Sequence, residues 1–196
     1  MLSGGDLATT SLFCVLTVLL AWFWLFERSA VSLGEMSAIA ALGAVAAALR
    51  VPFAGLPSVQ PVTFLVTASG YVLGSRAGFL IACVAVVVSN FFLGHGPWTP
   101  WQMVAWGLAG ALAGKLRGAG YRAPMLLCTV WGYLFGWIMN FWFWAAFLQP
   151  RTLYSFAAAC LASFWLDTMH ALGNALLWAL FGRRLLGILE RFRPRM

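Results

Sequence analysis

Ala38 to Arg50 reads A-I-A-A-L-G-A-V-A-A-A-L-R, an unbroken run without a polar side chain that ends in one cation. A strand of a membrane barrel alternates apolar and polar residues over about ten positions. Nothing alternates here. Instead Ala40, Ala44 and Ala48 recur every fourth residue, on one face of an α-helix, and Gly43 and Ala47 widen that smooth strip. Water supplies no drive between helices in lipid, so close backbone approach over small residues has to hold them together. The plain alternative for any one such strip is packing inside its own bundle.

The rest of the chain has the same character. Of its 196 residues 63% are hydrophobic and only 9% charged, with a mean hydropathy of +0.89. A soluble domain keeps about a quarter of its residues charged to face water. This chain needs lipid as solvent, which restricts it to closed barrels or helices. Its long continuous runs select helices, so an all-α integral membrane protein is expected. The candidate spans are Ala8–Phe26, Met36–Val51, the short Val62–Leu73, Gly78–Leu93, Trp101–Leu116, Met125–Phe147 and Phe156–Phe181. A complete crossing takes ~20 apolar residues, fewer where protein shields the ends. Short connections make neighbouring spans antiparallel, and no linker separates a soluble domain.

Charge orients the bundle. With alternating helices, Arg28, Arg76, Lys115, Arg117, Arg122, Arg183, Arg184, Arg191, Arg193 and Arg195 fall on one side, and only Arg50 and Arg151 on the other. The positive-inside rule makes the richer side cytoplasmic, with the amino terminus outside and the carboxyl terminus inside. The net charge of +7 then reflects this asymmetry and attraction to anionic membrane lipid; no nucleic-acid partner is expected. The first span reads as a retained helix, since Asp6 stands where a secretory signal carries its basic flank. Cys14, Cys83, Cys128 and Cys160 show no Cys-x-x-Cys spacing, so they read as buried apolar groups. No metal site or cofactor is expected.

The fifth span repeats the small-residue grammar, with Gly107 and Ala111 as one pair and Gly110 and Gly114 as another. Its end, G-A-L-A-G-K-L, is not a phosphate loop: Ala109 replaces the first glycine and Leu116 the hydroxyl residue.

Polar residues inside a membrane are expensive and each asks for a reason. They are Asn90, Gln102, Asn140, and, on one face of the last span, Asp167, His170 and Asn174. Asp167 and His170 admit a membrane-enzyme reading, although no H-E-x-x-H or third ligand accompanies them; a polar seam between helices is the structural alternative. The stretch Gly94–Met103, G-H-G-P-W-T-P-W-Q-M, adds a stiff lip. Thr99 reads as an N-cap before Pro100, which holds His95, Trp98 and Trp101 at the rim with Gln102 and Trp106 a turn apart below. An aromatic belt needs tryptophans but not two prolines and a glutamine. Trp137, Asn140, Phe141 and Trp144 of the sixth span, and the loop from Pro52 to Pro61, fall on the same side. Together these predict an aromatic pocket with a few polar groups. Arg50 and Arg151, on that side too, would meet an anionic ligand group or lipid headgroup phosphates.

In order, A-A-L-G-A-V-A-A-A-L-R, L-P-S-V-Q-P-V-T-F, S-G-Y-V-L-G-S-R-A-G-F and G-P-W-T-P-W-Q-M-V-A-W-G-L-A-G-A-L-A-G resemble the substrate-binding (S) components of energy-coupling factor (ECF) transporters. The resemblance spans about Met36 to Gly182. It implies a six-helix substrate-binding bundle over residues 36–182, an additional amino-terminal transmembrane helix and connector over 1–35, and a basic cytoplasmic tail over 183–196. It also implies capture of a vitamin or vitamin precursor at the outer face of a bacterial or archaeal cell membrane, with cobalamin-related compounds foremost. A transmembrane T component and two separate ATPase subunits would be the partners, so this chain would not itself be an enzyme. By the same resemblance Ala40, Ala44 and Ala48 form the partner-docking surface, and the additional first helix must leave them free. The substrate pocket maps onto Trp98 to Trp106, Trp137 to Trp144 and the outer part of the last span.

Overall fold

The structure is a computed structural model that describes residues 4–29 and 31–191, with side chains from Leu7 onward. Asp6's side chain, Arg193 and Arg195 lie outside the described residues. Among those described, all regular structure is helical: α1 (Gly4–Glu27), α2 (Leu33–Phe53), α3 (Pro61–Leu73), α4 (Ser75–Leu93), α5 (Thr99–Lys115), α6 (Arg122–Phe147) and α7 (Leu153–Arg191). Five of them, α1, α2, α4, α6 and α7, are long and apolar enough to cross a membrane. This is the build of a multi-pass membrane protein.

The short helix is the centre of the bundle. Every residue of α3 from Pro61 to Gly70 is buried, and it packs against α2, α4, α5, α6 and α7. A helix of 13 residues is too short to face ~30 Å of hydrocarbon alone. Enclosed by protein, it has no such need.

Glycines set how closely the inner helices cross. A Cβ on Gly70 of α3 would stand 2.0 Å from the Gly110 carbonyl oxygen of α5, and one on Gly110 would stand 2.4 Å from that of Gly78 in α4. Gly114 lies just as close to the Ser75 backbone. The Gly110/Gly114 pair is therefore an internal packing device. On α2, Gly43, Ala46 and Ala47 are buried, with Gly43 against Val84 and Ile81 of α4. Ala40, Ala44 and Ala48 are exposed. The strip expected to be one broad face is thus divided: the Gly43/Ala47 half turns into the bundle and the alanine line faces out.

α1 packs mainly on α5 and α6, while α2 packs on α4 and α3. Val15 and Leu19 of α1 are buried beside Trp101 and Phe79, and Trp22 stacks on Phe79 with centroids 4.4 Å apart. At one end of the bundle basic residues gather: Arg76 pairs with Glu35 at 2.8 Å, Arg117 donates to the Val72 carbonyl, and Arg183 lies 5.2 Å from the Tyr121 ring centroid.

Three expectations shift. α7 has 39 residues, about 58 Å at 1.5 Å per residue, and continues through Gly182 to Arg191. Residues 183–191 therefore extend a helix instead of beginning a separate tail. Thr99 does not cap α5: it is the helix's first residue, Trp98 holds the cap position without a side-chain cap bond, and the Thr99 hydroxyl turns back to accept from Gly96 N at 3.2 Å. Likewise Pro52 lies inside α2 and Pro61 begins α3, so the connection is 54–60.

Candidate functional site

At the end of the bundle away from the basic residues, polar side chains converge in the interior. Gly43, Ala46, Ala47 and Arg50 follow the i, i+3, i+4, i+7 spacing of one helical face. The face that packs α2 on α4 therefore carries Arg50 inward, leaving it 7% exposed. Its Nη1 donates to Ser89 Oγ at 2.7 Å and to Asn90 Oδ1 at 2.6 Å. Asn90 then uses Nδ2 to donate to Thr99 Oγ1 at 3.1 Å and to Gln102 Oε1 at 3.0 Å. The last turn of α4 is in this way tied to the lip before α5. Gly94 makes the reversal at φ +100°, a conformation that side-chain-bearing residues rarely adopt.

Trp106, one turn below Gln102, joins this group to a second one. Its ring centroid lies 4.9 Å from the Arg50 guanidinium carbon, and Phe135 of α6 stacks on it at 4.2 Å. The indole N–H donates to Thr63 Oγ1 at 2.8 Å, and Thr63 Oγ1 lies 2.7 Å from His170 Nε2. Thr63, Trp106 and His170 are each at most 1% exposed. All six helices from α2 to α7 thus contribute to one cluster: Arg50, Thr63, Ser89 with Asn90, Gln102 with Trp106, Phe135 and His170.

Its electrostatics are lopsided. Arg76 is paired with Glu35, whereas the hydrogen-bond partners of Arg50 are both neutral. Its Nε is buried without a partner. Removing a guanidinium from water costs several kcal/mol even after relaxation. Two neutral acceptors and an indole face, the latter worth up to about 2 kcal/mol when desolvated, offset only part of that.

The structure brings together Asn90, Gln102, Trp106 and His170 of the expected site. It separates the others. Trp101 lies five residues before Trp106, about 140° around a helix of 3.6 residues per turn, so it faces α1 and meets Phe141 at 5.8 Å. A cleft of about 210 Å³ remains there, between Ala8, Ser11 and Leu12 of α1 and Pro97, Trp101 and Trp142. Trp98 meets Trp142 edge-on at 6.1 Å. His95 is exposed, its ring 4.9 Å from Phe91. Trp137 is 50% exposed on the outer face of α6. Trp144 donates to Ser155 Oγ at 2.9 Å.

Asp167, His170 and Asn174 share a buried face but turn to different partners. Asp167 Oδ2 accepts from Ser163 at 3.0 Å, Ser163 accepts from Asn140 at 2.7 Å, and the carboxylate lies against Gly136. His170 reaches across to α3, and Asn174 donates to the Cys128 carbonyl at 2.8 Å. The expected single cup of rings is therefore two arrangements: an interior polar cluster, and an aromatic layer split between α1, the α6/α7 seam and the periphery.

From the sequence Arg50 belongs to the outer side, where it would meet an anionic ligand group or lipid headgroup phosphates; its enclosure in the core and the parts played by Thr63, Ser89 and Phe135 were not foreseen. The spacing from Gly43 to Arg50 carried the signal for the first; the others had none, since Ser and Thr occur throughout the apolar runs. Arg151, by contrast, does stay at its helix end, where Nε donates to the Ala145 carbonyl at 3.0 Å. A larger cleft, about 540 Å³, opens at the basic end between Ser32, Glu35, Ala38 and Ala41 of α2 and Leu185 and Leu189 of α7. It arises because α7 continues past Phe181. No protein-family model, curated protein or solved structure matches this chain.

Proposed function

We propose that this chain is the solute-capturing membrane subunit of an ATP-driven importer, an S component of the ECF type, with a vitamin or vitamin precursor as its cargo. Cobalamin-related compounds are the first candidates. One observation carries the reading: six helices converge on a single buried polar cluster at one end of a lipid-adapted bundle. A bundle needing only to be stable has little use for so concentrated a polar centre in lipid. Two further features support it. The line Ala40, Ala44 and Ala48 is exposed on α2, and α1 makes its main contacts on the far helices, α5 and α6. That leaves a smooth flank for a transmembrane T component, which two separate ATPase subunits would drive. The chain itself is then non-catalytic. It sits in a bacterial or archaeal cell membrane with its amino terminus outside and its basic end in the cytoplasm.

The test has two arms. Mass spectrometry of small molecules released from the purified chain should find one vitamin-like solute in near-stoichiometric amount. Ala44→Trp should abolish energised uptake in cells while leaving solute capture and thermal stability unchanged, because that position is exposed. Uptake that survives Ala44→Trp removes the docking surface, and a chain that captures no solute removes the importer reading.

A further inference from the structure

We infer that Arg50 anchors an oxyanion, the carboxylate or phosphate group of the molecule held in this cluster; the inference rests on reading the cluster as a ligand site. Among the described residues Arg50 is the one cation enclosed in the core, and its hydrogen-bond acceptors, Ser89 Oγ and Asn90 Oδ1, are neutral. The nearby polar groups, Gln102, Thr63, Trp106 and His170, are neutral amide, hydroxyl, indole and imidazole. Among the described carboxylates Glu35 is engaged by Arg76, and Asp167 accepts from Ser163 in the α6/α7 seam.

A buried cation is ordinarily paired. Here the guanidinium is instead held in place without being neutralised. Nη1 is fixed by two acceptors, the plane is steadied over Trp106, and Nε has no partner. A guanidinium oriented through one nitrogen, with another donor free, suits an oxygen anion, to which its N–H groups form charge-assisted bonds. Gln60, at the cap of α3 three residues before Thr63, also buries a carbonyl oxygen without a partner. The core thus holds an unfilled donor on Arg50 and an unfilled acceptor on Gln60, the complements of an acid group and a hydrogen-bond donor. Arg50 lies three residues from the end of α2, so the path from water is short. A lipid phosphate and the acid group of a soluble solute present the same chemistry, and the experiment separates them.

The full chain is placed in phosphatidylcholine nanodiscs and its thermal unfolding followed with inorganic phosphate, benzoate or the neutral analogue benzamide. At least one anion should raise Tm saturably and benzamide should not. Arg50→Gln should weaken the response by about ten- to a hundredfold, the worth of one hydrogen bond to a charged group. Should Arg50→Gln fail to fold, Asn90→Asp serves in its place. It sets a carboxylate where Asn90 Oδ1 now stands, 2.6 Å from Nη1, and should abolish the response by occupying the cation. In phosphatidylglycerol nanodiscs, a raised baseline Tm that Asn90→Asp removes identifies the oxyanion as lipid and upholds the subsite. A wild-type chain unmoved by both anions and by anionic lipid overturns the inference, as does a response that persists in Asn90→Asp. Recovery of a neutral solute from a chain indifferent to anions would overturn it and leave the importer reading standing; a chain that responds through Arg50 yet captures no solute does the reverse.

Discussion

At Gly110 the missing side chain is itself the contact, because the α4 backbone at Gly78 occupies the space a methyl group would need. Overpacking of this kind costs about 1–3 kcal/mol where the neighbour is backbone and cannot swing aside. Gly110→Ala should therefore lower Tm in detergent clearly. Gly55→Ala, with nothing within 4 Å of the added carbon, should leave it unchanged. Equal Tm values for the two variants would mean the three-helix crossing is looser than described. Glycine spacing in α5 made this contact legible, since small residues four apart can do little else in lipid. The inward turn of Arg50 was not read from the chain, although its register with buried Gly43 and Ala47 carries that signal. Trp137 offers no such signal: at this spacing a tryptophan belongs equally well to a pocket or to the bilayer.

Elements show where local pattern stops. α3 matches its apolar run almost to the residue, and α4 ends where its run does but begins three residues earlier, because Pro61, Gly74 and Gly94 mark their limits. α7 overruns its run by ten residues, to Arg191, because Leu185, Leu186 and Leu189 still pack on the core beyond the two arginines. α1 is an attached helix whose hold rests on a small contact set, chiefly Val15, Leu19 and the Trp22–Phe79 stack. Trp22→Ala should loosen it by about 1 kcal/mol, the usual worth of such a ring pair beyond its area. The expected outcome is a modest fall in Tm and faster tryptic cleavage at Arg28, with the Arg50 cluster and its anion response intact. If cleavage at Arg28 is unchanged, α1 is held by contacts other than this stack.

On the scale of the whole molecule, the helix ends sort the cations. Arg28, Arg76, Lys115, Arg117 and Arg122 stand at helix termini or turns of one end, with Arg183 of α7 beside them, and Arg151 at the other, with Arg50 enclosed nearby. The positive-inside rule then predicts which end faces the cytoplasm. In a Cys14→Ala/Cys160→Ala background, a membrane-impermeant maleimide should label Ala54→Cys on intact cells and Ala119→Cys only after permeabilisation. Both positions are exposed, in connections at opposite ends. The reverse labelling pattern would invert the bundle and put the polar cluster on the cytoplasmic side.

Polarity and periodicity are properties of neighbouring residues along the chain, so composition and spacing were enough to determine a helical, lipid-adapted protein, the approximate positions of its helices and some of its costly polar residues. Which of those residues meet depends on the rotation of each helix about its axis and on what lies across from it. Trp101 and Trp106 share a helix yet serve α1 and the interior respectively. Asp167 and His170, one turn apart, answer to different neighbours. Only the packed bundle could decide that Arg50, from a run that reads as plain alanine helix, lies among Ser89, Asn90 and Trp106, because two other helices, α4 and α5, had to close around it first.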